Sequence, residues 1–321
     1  MKQVSVILPN FNRGDALPNT LMALANQTIS PDIFEVIVVD DGSIDRSIEI
    51  IQNIKLPYSL HLLQQANQGP AAARNRGAQI ARADLLVFLD SDMIAVPQLL
   101  ERYFELHHQH PQAIIIGRQV PWPEAYTLRY AKIFYTSLAA DLGPMGGQVA
   151  FHAMTSAIFS IDKQSFETIG GFDENLRMME DVDLAYRADK AGINIFYDPT
   201  VKAFHSHPKT PDQIFKQIQN GAWWTAHLYH KTPSISGQIP VYKVIEPIQW
   251  GKDQFELILH KVLIRIYGTR FCLAFLKAAI ISLDRISANT RLIRYLRFKA
   301  EAGYRSIGFR QFIINAERSP L

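Results

Sequence analysis

The chain has 321 residues, of which 48% are hydrophobic and 20% are charged, so it is long enough for a sizeable core and too apolar for a disordered protein. Its single cysteine excludes an intrachain disulfide and a cysteine-based metal site. The net charge of +3 divides into −5 over residues 1–242 and +8 over residues 243–321. This asymmetry predicts an acidic body and a basic C-terminal segment that meets an anionic surface.

Targeting and membrane signals are weak along the chain. The N-terminal run MKQVSVILPN is too short for the apolar region of a signal peptide and lacks a small-residue cleavage site. The longest apolar stretch, Phe271–Leu283, is interrupted by Lys277 and falls short of the roughly 20 residues that cross a bilayer. We therefore expect a cytoplasmic protein, at most associated with the inner face of the cell membrane.

The first part of the chain alternates short apolar runs with helical patterns. The predicted strands are 4–8, 34–39, 59–63 and 85–89, and the predicted helices lie near 14–27, 43–54 and 70–82. Such alternation predicts a mostly parallel sheet covered by helices on both faces. Ligands of such sheets lie beyond the carboxyl ends of the strands, where this chain places polar and turn-forming residues.

After Pro97 the pattern is less regular. We predict a helix near 97–110, strands at 113–117 and 152–161, a helix that ends at Gly170-Gly171, and a helix over 179–192; two short strands, INIFYD and TVKAFHSH, follow. From residue 211 the pattern is mostly helical, with an interruption at 233–240. The predicted division is an α/β segment, 1–232, and a helical, basic segment, 233–321.

The sequence Asp90-Ser91-Asp92 ends a predicted buried strand with two acids. Residues i and i+2 of an extended chain point the same way, so both carboxylates can converge on one point. Oxygen ligands of this kind suit Mg²⁺ or Mn²⁺, and the ion would offset the repulsion between the acids. The alternative is that one acid caps a helix and the other is solvated.

Two further places in the sequence are candidates for nucleotide binding. Asp40-Asp41 follow a predicted strand, and one of the two can accept hydrogen bonds from a base or ribose, although Ser43 or Asp41 can also simply cap the next helix. Arg74 lies in a helix that opens with small residues and suits a phosphate or a base face. The alternative for Arg74 is a solvated position on a surface helix.

Later in the chain, acids and imidazoles provide candidates for base and metal chemistry. Glu180 and Asp183 share a helix face while Asp181 points elsewhere, so Asp181 or Glu180 can face a pocket as a general base. All three acids can instead serve only to favour the start of the helix. His205 and His207 share one face of a strand, and either can complete a metal shell or be a packed or solvated histidine.

Together these residues resemble the family 2 glycosyltransferases, of the inverting, non-processive type. The matching stretches occur in family order over roughly residues 3–207; they are VSVILPNFN, VIVVDDGSIDRS, NQGPAAARNRGAQIA, LLVFLDSDM, GGFDENL and MMEDVDLAYRADKAG. The resemblance implies an α/β, GT-A Rossmann-like fold with a mostly parallel central sheet, flanking helices and a helical C-terminal extension. It also implies transfer of a sugar from a nucleotide-diphospho-sugar, assisted by Mn²⁺ or Mg²⁺.

The resemblance assigns roles by position. Donor-nucleotide binding falls to Pro9, Phe11, Asp41, Arg74 and Asp90. The metal falls to Asp92 and Asp90, with His205 or His207 as a further ligand. Asp181 is implied as the base that deprotonates the acceptor hydroxyl, with Glu180 as its neighbour. The sugar or acceptor pocket falls to Gly171, Phe172 and Asp173, after Gly170.

One feature of processive synthases is missing from the chain. Where those enzymes carry Gln-x-x-Arg-Trp, this sequence reads QIQNGAWWTAHL, so we expect transfer of a single sugar, with UDP as the expected carrier nucleotide. The acceptor is expected to be a glycan or lipid-linked, because the basic stretch 260–285 fits a membrane-surface helix. A helix packed on the body with its basic residues outward fits equally well. No nucleic-acid partner is expected.

Other functions are less consistent with the motifs. A nucleotidyltransferase would carry an early glycine-rich phosphate loop, and a dehydrogenase or P-loop NTPase would carry its own glycine motif; none is present. A catalytically inactive scaffold that binds sugar or nucleotide stays open, since an intact acid set does not prove turnover.

Overall fold

The computed structural model describes residues 2–122, 146–206, 209–236, 238–239, 248–285 and 290–318. These residues form two compact units. The first contains the described residues up to 206, and the second begins at Lys209. By its contacts, the helix over residues 211–231 therefore belongs to the second unit, together with the C-terminal helices. The expected functional division after residue 232 stays a prediction.

The first unit is an α/β sandwich. Its strands are β1 (Val4–Asn10), β2 (Phe34–Asp40), β3 (Ser59–Gln64), β4 (Leu85–Leu89), β5 (Met93–Ala95), β6 (Ile114–Pro121), β7 (Gly147–Gln148), β8 (Ile158–Asp162) and β9 (Ile195–His205). Its helices are α1 (Leu17–Ala25), α2 (Ser47–Asn53), α3 (Pro70–Ile80), α4 (Leu99–Gln109), α5 (Lys163–Thr168) and α6 (Glu180–Lys190), with a short 3₁₀ turn at Phe151–Ala153.

The strands form one sheet in the order β3-β2-β1-β4-β8-β6-β9-β5, with β7 beside β9. The first four strands run parallel. From β4 onward the sheet is mixed, because β8 lies antiparallel to both β4 and β6, and β5 lies antiparallel to β9. The predicted α/β fold with a central sheet and flanking helices is confirmed.

Local predictions differ from the structure at three places. The strand predicted at 152–161 begins only at Ile158, as β8, since the chain at Phe151–Ala153 forms the 3₁₀ turn instead. The two short strands predicted around residue 200 are one strand, β9, because a bulge absorbs Pro199: Gly117 pairs with Asp198 and the next residue, Arg118, pairs with Lys202. A proline is tolerated where ladder hydrogen bonds are interrupted in this way. The strand β5 was not predicted, since three residues carry too little periodicity for sequence analysis.

Close packing around β1, β2 and β4 holds in place the elements that carry the candidate site. All residues of β2 and β4 are buried. Helix α3 lies close to β1, since a Cβ on Gly77 would come within 2.5 Å of the Ile7 side chain. On the other side of β4, an aromatic cluster holds the chain around residue 172; its members are Phe88, Phe159, Phe166 and Phe172.

The second unit is helical. Its helices are α7 (Pro211–Lys231), α8 (Phe255–Tyr267), α9 (Arg270–Arg285) and α10 (Thr290–Arg318), with a 3₁₀ turn at Pro233–Ile235. Helix α7 begins with a capping box between Thr210 and Gln213, and it packs on α10, where Phe215 stacks on Tyr304 at 4.7 Å. Among the described residues, no single helix has the length and apolarity of a membrane span, whereas α8 and α9 together do but are bent by 79°.

Candidate active site

A buried arginine lies at the centre of the candidate site. Helix α3 projects Arg74 beneath the end of β4, where Nη2 donates to Asp90 Oδ1 at 2.8 Å and Nη1 donates to Glu180 Oε1 at 3.0 Å. Burial lowers the pKa of Arg74, but the charges of Asp90 and Glu180 more than reverse this and raise it. Arg74 therefore stays cationic and joins the acid after β4 to the acids that open α6.

The acids that open α6 lie in different environments. Glu180 is buried, and burial together with the charge of Asp181 raises its pKa to about 7, against the lowering effect of Arg74. Asp181 is only partly covered, and burial raises the pKa of its carboxyl as well. Asp183 is buried on the same face as Glu180 and pairs with Arg187 at 2.7 Å. Asp181 is thus more exposed than Glu180 and Asp183.

Ser156 holds both acids in place and was missed by the sequence analysis. Its backbone N–H donates to Asp181 Oδ2 at 3.2 Å, and its hydroxyl donates to Glu180 Oε1 at 3.2 Å. Ser156 lies two residues before β8, which β4 fixes in antiparallel register. No local pattern in the stretch HAMTSAIF distinguishes this serine, because its role depends on a contact with residues about 25 positions later.

The acid pair Asp90 and Asp92 is neutralised within the protein by two arginines. Asp90 pairs with Arg74, while Asp92 Oδ2 lies 3.2 Å from Arg13 Nε. The repulsion between the acids is therefore offset even without an ion. Arg13, three residues beyond β1, is a second residue that sequence analysis missed, although it follows directly on the stretch PNFN that had been noted as a strand end.

The candidate metal ligands converge only in part. His205 Nε2 lies 3.6 Å from Asp92 Oδ1, and both side chains are buried. His207 lies outside the described residues. Within the ranges that the structure describes, no group of three or more His, Cys, Asp and Glu side chains is placed to hold a metal ion. A carboxylate and an imidazole together fit Mn²⁺, with further ligands left to a substrate phosphate and water.

Asp41, the acid that follows β2, holds the loop that leads into α3. Asp41 is buried, and its two oxygens accept hydrogen bonds from Gln65 Nε2 and from the backbone N–H groups of Gln68 and Gly69, each at 2.8 Å. Asp41 therefore closes the loop that leads into α3. It does not cap α2, where the N–H of Ser47 donates to Asp45 instead. Its expected role toward a nucleoside stays a prediction.

The other predicted donor residues lie where β1 ends. Pro9 is partly exposed and pairs with Val39 in the sheet. Phe11, just beyond the strand, is 46% exposed, which leaves a ring face open to solvent. An exposed aromatic ring at the carboxyl edge of a parallel sheet is able to stack on a base.

The predicted sugar-pocket loop is clamped by Asn75, another residue that sequence analysis passed over. Asn75 Oδ1 accepts the N–H of Phe172, and Asn75 Nδ2 donates to the carbonyl of Phe172, both at 2.9 Å. Gly171 adopts a φ of +64° beside it. The Phe172 ring is buried in the aromatic cluster, so only the backbone there faces the site, while Asp173 accepts from Asn175.

Comparisons with known proteins agree with this architecture. The model of the family described as Glycosyl transferase family 2 matches residues 5–168. The O-antigen chain rhamnosyltransferase RfbN of Salmonella typhimurium is 29% identical over 224 residues, which cover 67% of this chain and 70% of that protein. The validoxylamine A glucosyltransferase of Streptomyces hygroscopicus subsp. limoneus is 30% identical over 221 residues, which cover 59% of this chain. The chain spans only about half, 48%, of that second relative.

Solved structures share the fold at low sequence identity. A fragment of S. aureus TarS in complex with UDP is 18% identical and superposes with a TM-score of 0.54, covering 96% of this chain and 91% of that one. The mannosyltransferase PcManGT from Pyrobaculum calidifontis, in complex with GDP-Man and Mn²⁺, is 16% identical with a TM-score of 0.64, covering 96% and 87%. The predicted GT-A fold is confirmed, and the chain belongs to glycosyltransferase family 2.

Proposed function

We propose that this protein transfers a single sugar from a nucleotide-diphospho-sugar to a hydroxyl group of a glycan or lipid-linked acceptor, with inversion at the anomeric carbon. The observation that carries the proposal is the bridge from Asp90 through Arg74 to Glu180 and its neighbour Asp181. It links a donor-side acid at the end of a parallel strand to a pair of acids with raised pKa values. Groups with such perturbed pKa values cluster at catalytic sites.

Asp181 is the proposed general base. Asp181 is a partly exposed residue, so an acceptor hydroxyl would approach it more readily than Glu180, which is buried and occupied by Arg74 and Ser156. The raised pKa of Asp181 makes it a better proton acceptor than an ordinary aspartate. As the hydroxyl attacks the anomeric carbon, its proton passes to Asp181 and the bond to the diphosphate breaks, which inverts the centre in one displacement.

The donor is proposed to bind along the carboxyl edge of the sheet. Phe11 and Pro9 would lie against the base, Asp41 would take a base or ribose group, and Asp90 would take ribose. Asp92 and His205, with Asp90 and His207 as further candidates, would hold Mn²⁺ or Mg²⁺. When bound, such an ion supplies Lewis-acid stabilisation to the leaving diphosphate. The loop at Gly171, Phe172 and Asp173 would shape the sugar pocket through its backbone.

The names of the relatives support this substrate class. RfbN is named for O-antigen chain synthesis, TarS was solved with UDP, and PcManGT was solved with GDP-Man and Mn²⁺. A role in cell-envelope polysaccharide or glycolipid synthesis fits the name of RfbN, and a UDP-linked donor, our first choice, fits the TarS complex, whereas PcManGT was solved with a GDP-linked donor. The absence of Gln-x-x-Arg-Trp from the sequence supports transfer of one sugar rather than processive synthesis.

Calorimetric titration of UDP, GDP and dTDP, with and without Mn²⁺, tests the proposal. We expect one nucleotide to bind only with the metal and to lose this binding in Asp92→Asn, which keeps the side chain's shape. Asp189→Asn, an exposed acid on α6, is the matched control and should bind as wild type does. If no nucleotide binds with metal present, or if Asp92→Asn binds equally well, the proposal fails and a scaffold function takes its place.

A further inference from the structure

Helix α8 has an apolar face that is turned toward solvent. Phe255, Leu259, Val262 and Ile266 recur at spacings of four, three and four residues, so they form one stripe along the helix, and all four are exposed. Ile264, on the opposite face, is the buried apolar residue of this helix. A helix packed only on its own protein would show the reverse arrangement.

Exposed apolar side chains also occur on α9 and in the chain before α8. Phe271 is 83% exposed and Phe275 is 65% exposed, while Leu273, Leu276 and Ile280 on the other side of α9 are buried. We call these exposed side chains the C-terminal apolar face; its members are Trp250, Phe255, Leu259, Val262, Ile266, Phe271 and Phe275. Among the described residues, few large hydrophobic side chains outside the second unit are exposed, so this concentration is a local feature.

Cations accompany the apolar face. The Lys299 ammonium lies 5.0 Å from the centre of the Tyr267 ring and 5.2 Å from that of Tyr295, where α10 passes the end of α8. Arg270 is exposed directly beside Phe271. Aromatic rings beside lysine and arginine, next to an apolar stripe, are the composition of helices that lie in a membrane interface.

The net charge of the C-terminal segment indicates what kind of partner binds this face. Residues 243–321 carry a net charge of +8. Two copies of the segment facing each other would bring like charges together, whereas an anionic lipid surface would be attracted to each basic residue near it. A second protein copy is therefore disfavoured, and a bilayer that contains anionic lipid fits both the apolar stripe and the charge.

We propose that the C-terminal apolar face docks the protein on an anionic membrane, with α8 and α9 lying in the interface. The 79° bend between the two helices keeps them from forming one straight rod across the bilayer. Phe255, Phe271 and Phe275 enter the acyl boundary, while Arg270 and Lys299 remain at the level of the lipid phosphates. The inference does not depend on the sugar transferred, because docking needs no donor.

Sedimentation of the full chain with vesicles tests the proposal. The probes are vesicles of phosphatidylcholine alone and of phosphatidylcholine mixed with phosphatidylglycerol, at low and high salt. We expect binding to the anionic vesicles at low salt, release by salt, and a loss of more than about tenfold in partitioning when Phe255, Phe271 and Phe275 are all changed to serine. Ile44→Ser, at a residue 93% exposed in the first unit, is the matched control and should bind as wild type does.

A second variant addresses the charges without touching the apolar stripe. Arg270→Gln combined with Lys299→Gln is expected to weaken binding to anionic vesicles and to leave the small affinity for neutral vesicles unchanged. The proposal is overturned if the wild-type protein does not bind anionic vesicles at low salt. It is equally overturned if the triple serine variant binds them as strongly as wild type does. It is also overturned if light scattering shows an oligomer that the serine variant dissociates, since the face would then join protein chains. Salt-resistant binding to both kinds of vesicle would instead indicate insertion across the bilayer.

Discussion

Replacement of Glu180 by glutamine tests how the site holds its acids. Burial and the charge of Asp181 raise the pKa of Glu180 to about 7, from an ordinary value of 4.5. Glutamine keeps the size of the side chain and can still accept a hydrogen bond from the Ser156 hydroxyl, but it cannot ionise. The variant therefore isolates the cost of placing a charge at this position.

The magnitude follows from the pKa difference. Each pKa unit corresponds to about 1.4 kcal/mol, so ionising Glu180 in the folded state costs about 3 kcal/mol more than ionising it in the unfolded chain. Below pH 4.5 the carboxyl is protonated in both states, and the folded protein has no penalty. As the pH rises through 7, the favourable contribution of the protonated form is lost, and the full penalty applies above that value.

Urea denaturation of the full chain at about pH 4 and about pH 8 measures the effect. The free energy of unfolding of Glu180→Gln should nearly match wild type at the lower pH and exceed it by about 3 kcal/mol at the higher pH. Asp183→Asn, on the same helix, is the control: it removes the ion pair with Arg187 and leaves Glu180 in place. A difference between Glu180→Gln and wild type that does not change with pH would refute the account of Glu180.

Three further predictions concern the framework of the site. Gly171→Ala should lower the melting temperature, because φ at Gly171 is +64° and the new Cβ would lie 2.8 Å from Asn75 Oδ1. Gly192→Ala should lower it less, because Gly192 has a similar φ of +80° but open space around the new Cβ. Burial lowers the pKa of His107 to about 4, so the neutral ring stabilises the fold above about pH 6.5 and this contribution is lost as the pH falls toward 4. His107→Gln should therefore lose less stability than wild type over that window in urea denaturation. Phe88→Ala should cost about 3–5 kcal/mol of unfolding free energy, measured by thermal denaturation.

Each of these predictions has an outcome that contradicts it. Equal melting temperatures for the two glycine variants would mean that the loop at Gly171 yields to a side chain. Parallel acid profiles for His107→Gln and wild type would mean that His107 does not resist protonation. A small loss of unfolding free energy in Phe88→Ala would mean that the aromatic cluster rearranges to fill the space that the Phe88 ring leaves.

The local patterns that identified the strands also identified the acids after them. Continuous apolar runs predicted β1, β2, β3 and β4, since a strand covered on both faces has no polar positions. Helix geometry alone separated Asp181 from Glu180 and Asp183, and in the structure Asp181 is the more exposed residue of the three. The motifs in order predicted glycosyltransferase family 2, which the family comparison confirmed.

Long-range contacts decided what the local patterns left open. Sequence analysis offered a metal ion as the partner of Asp90 and Asp92, and the fold also brings Arg74 and Arg13 to them. Asp41 was expected to accept hydrogen bonds from a base or ribose or to cap α2, and in the folded chain both its oxygens also accept from the loop before α3. Such pairings join residues up to about 80 positions apart, which no periodicity encodes.

The sequence by itself determined which residues end the strands and open the helices, because strand and helix periods are local properties of the chain. Only the tertiary structure decided which of those residues meet. Ser156 and Asn75 acquire their roles because the sheet register and the aromatic cluster bring the chain near residues 172 and 180 up against α3 and β8. A hydrogen bond depends on distance in space, and in this protein folding alone sets the distance from Asn75 and Ser156 to their partners.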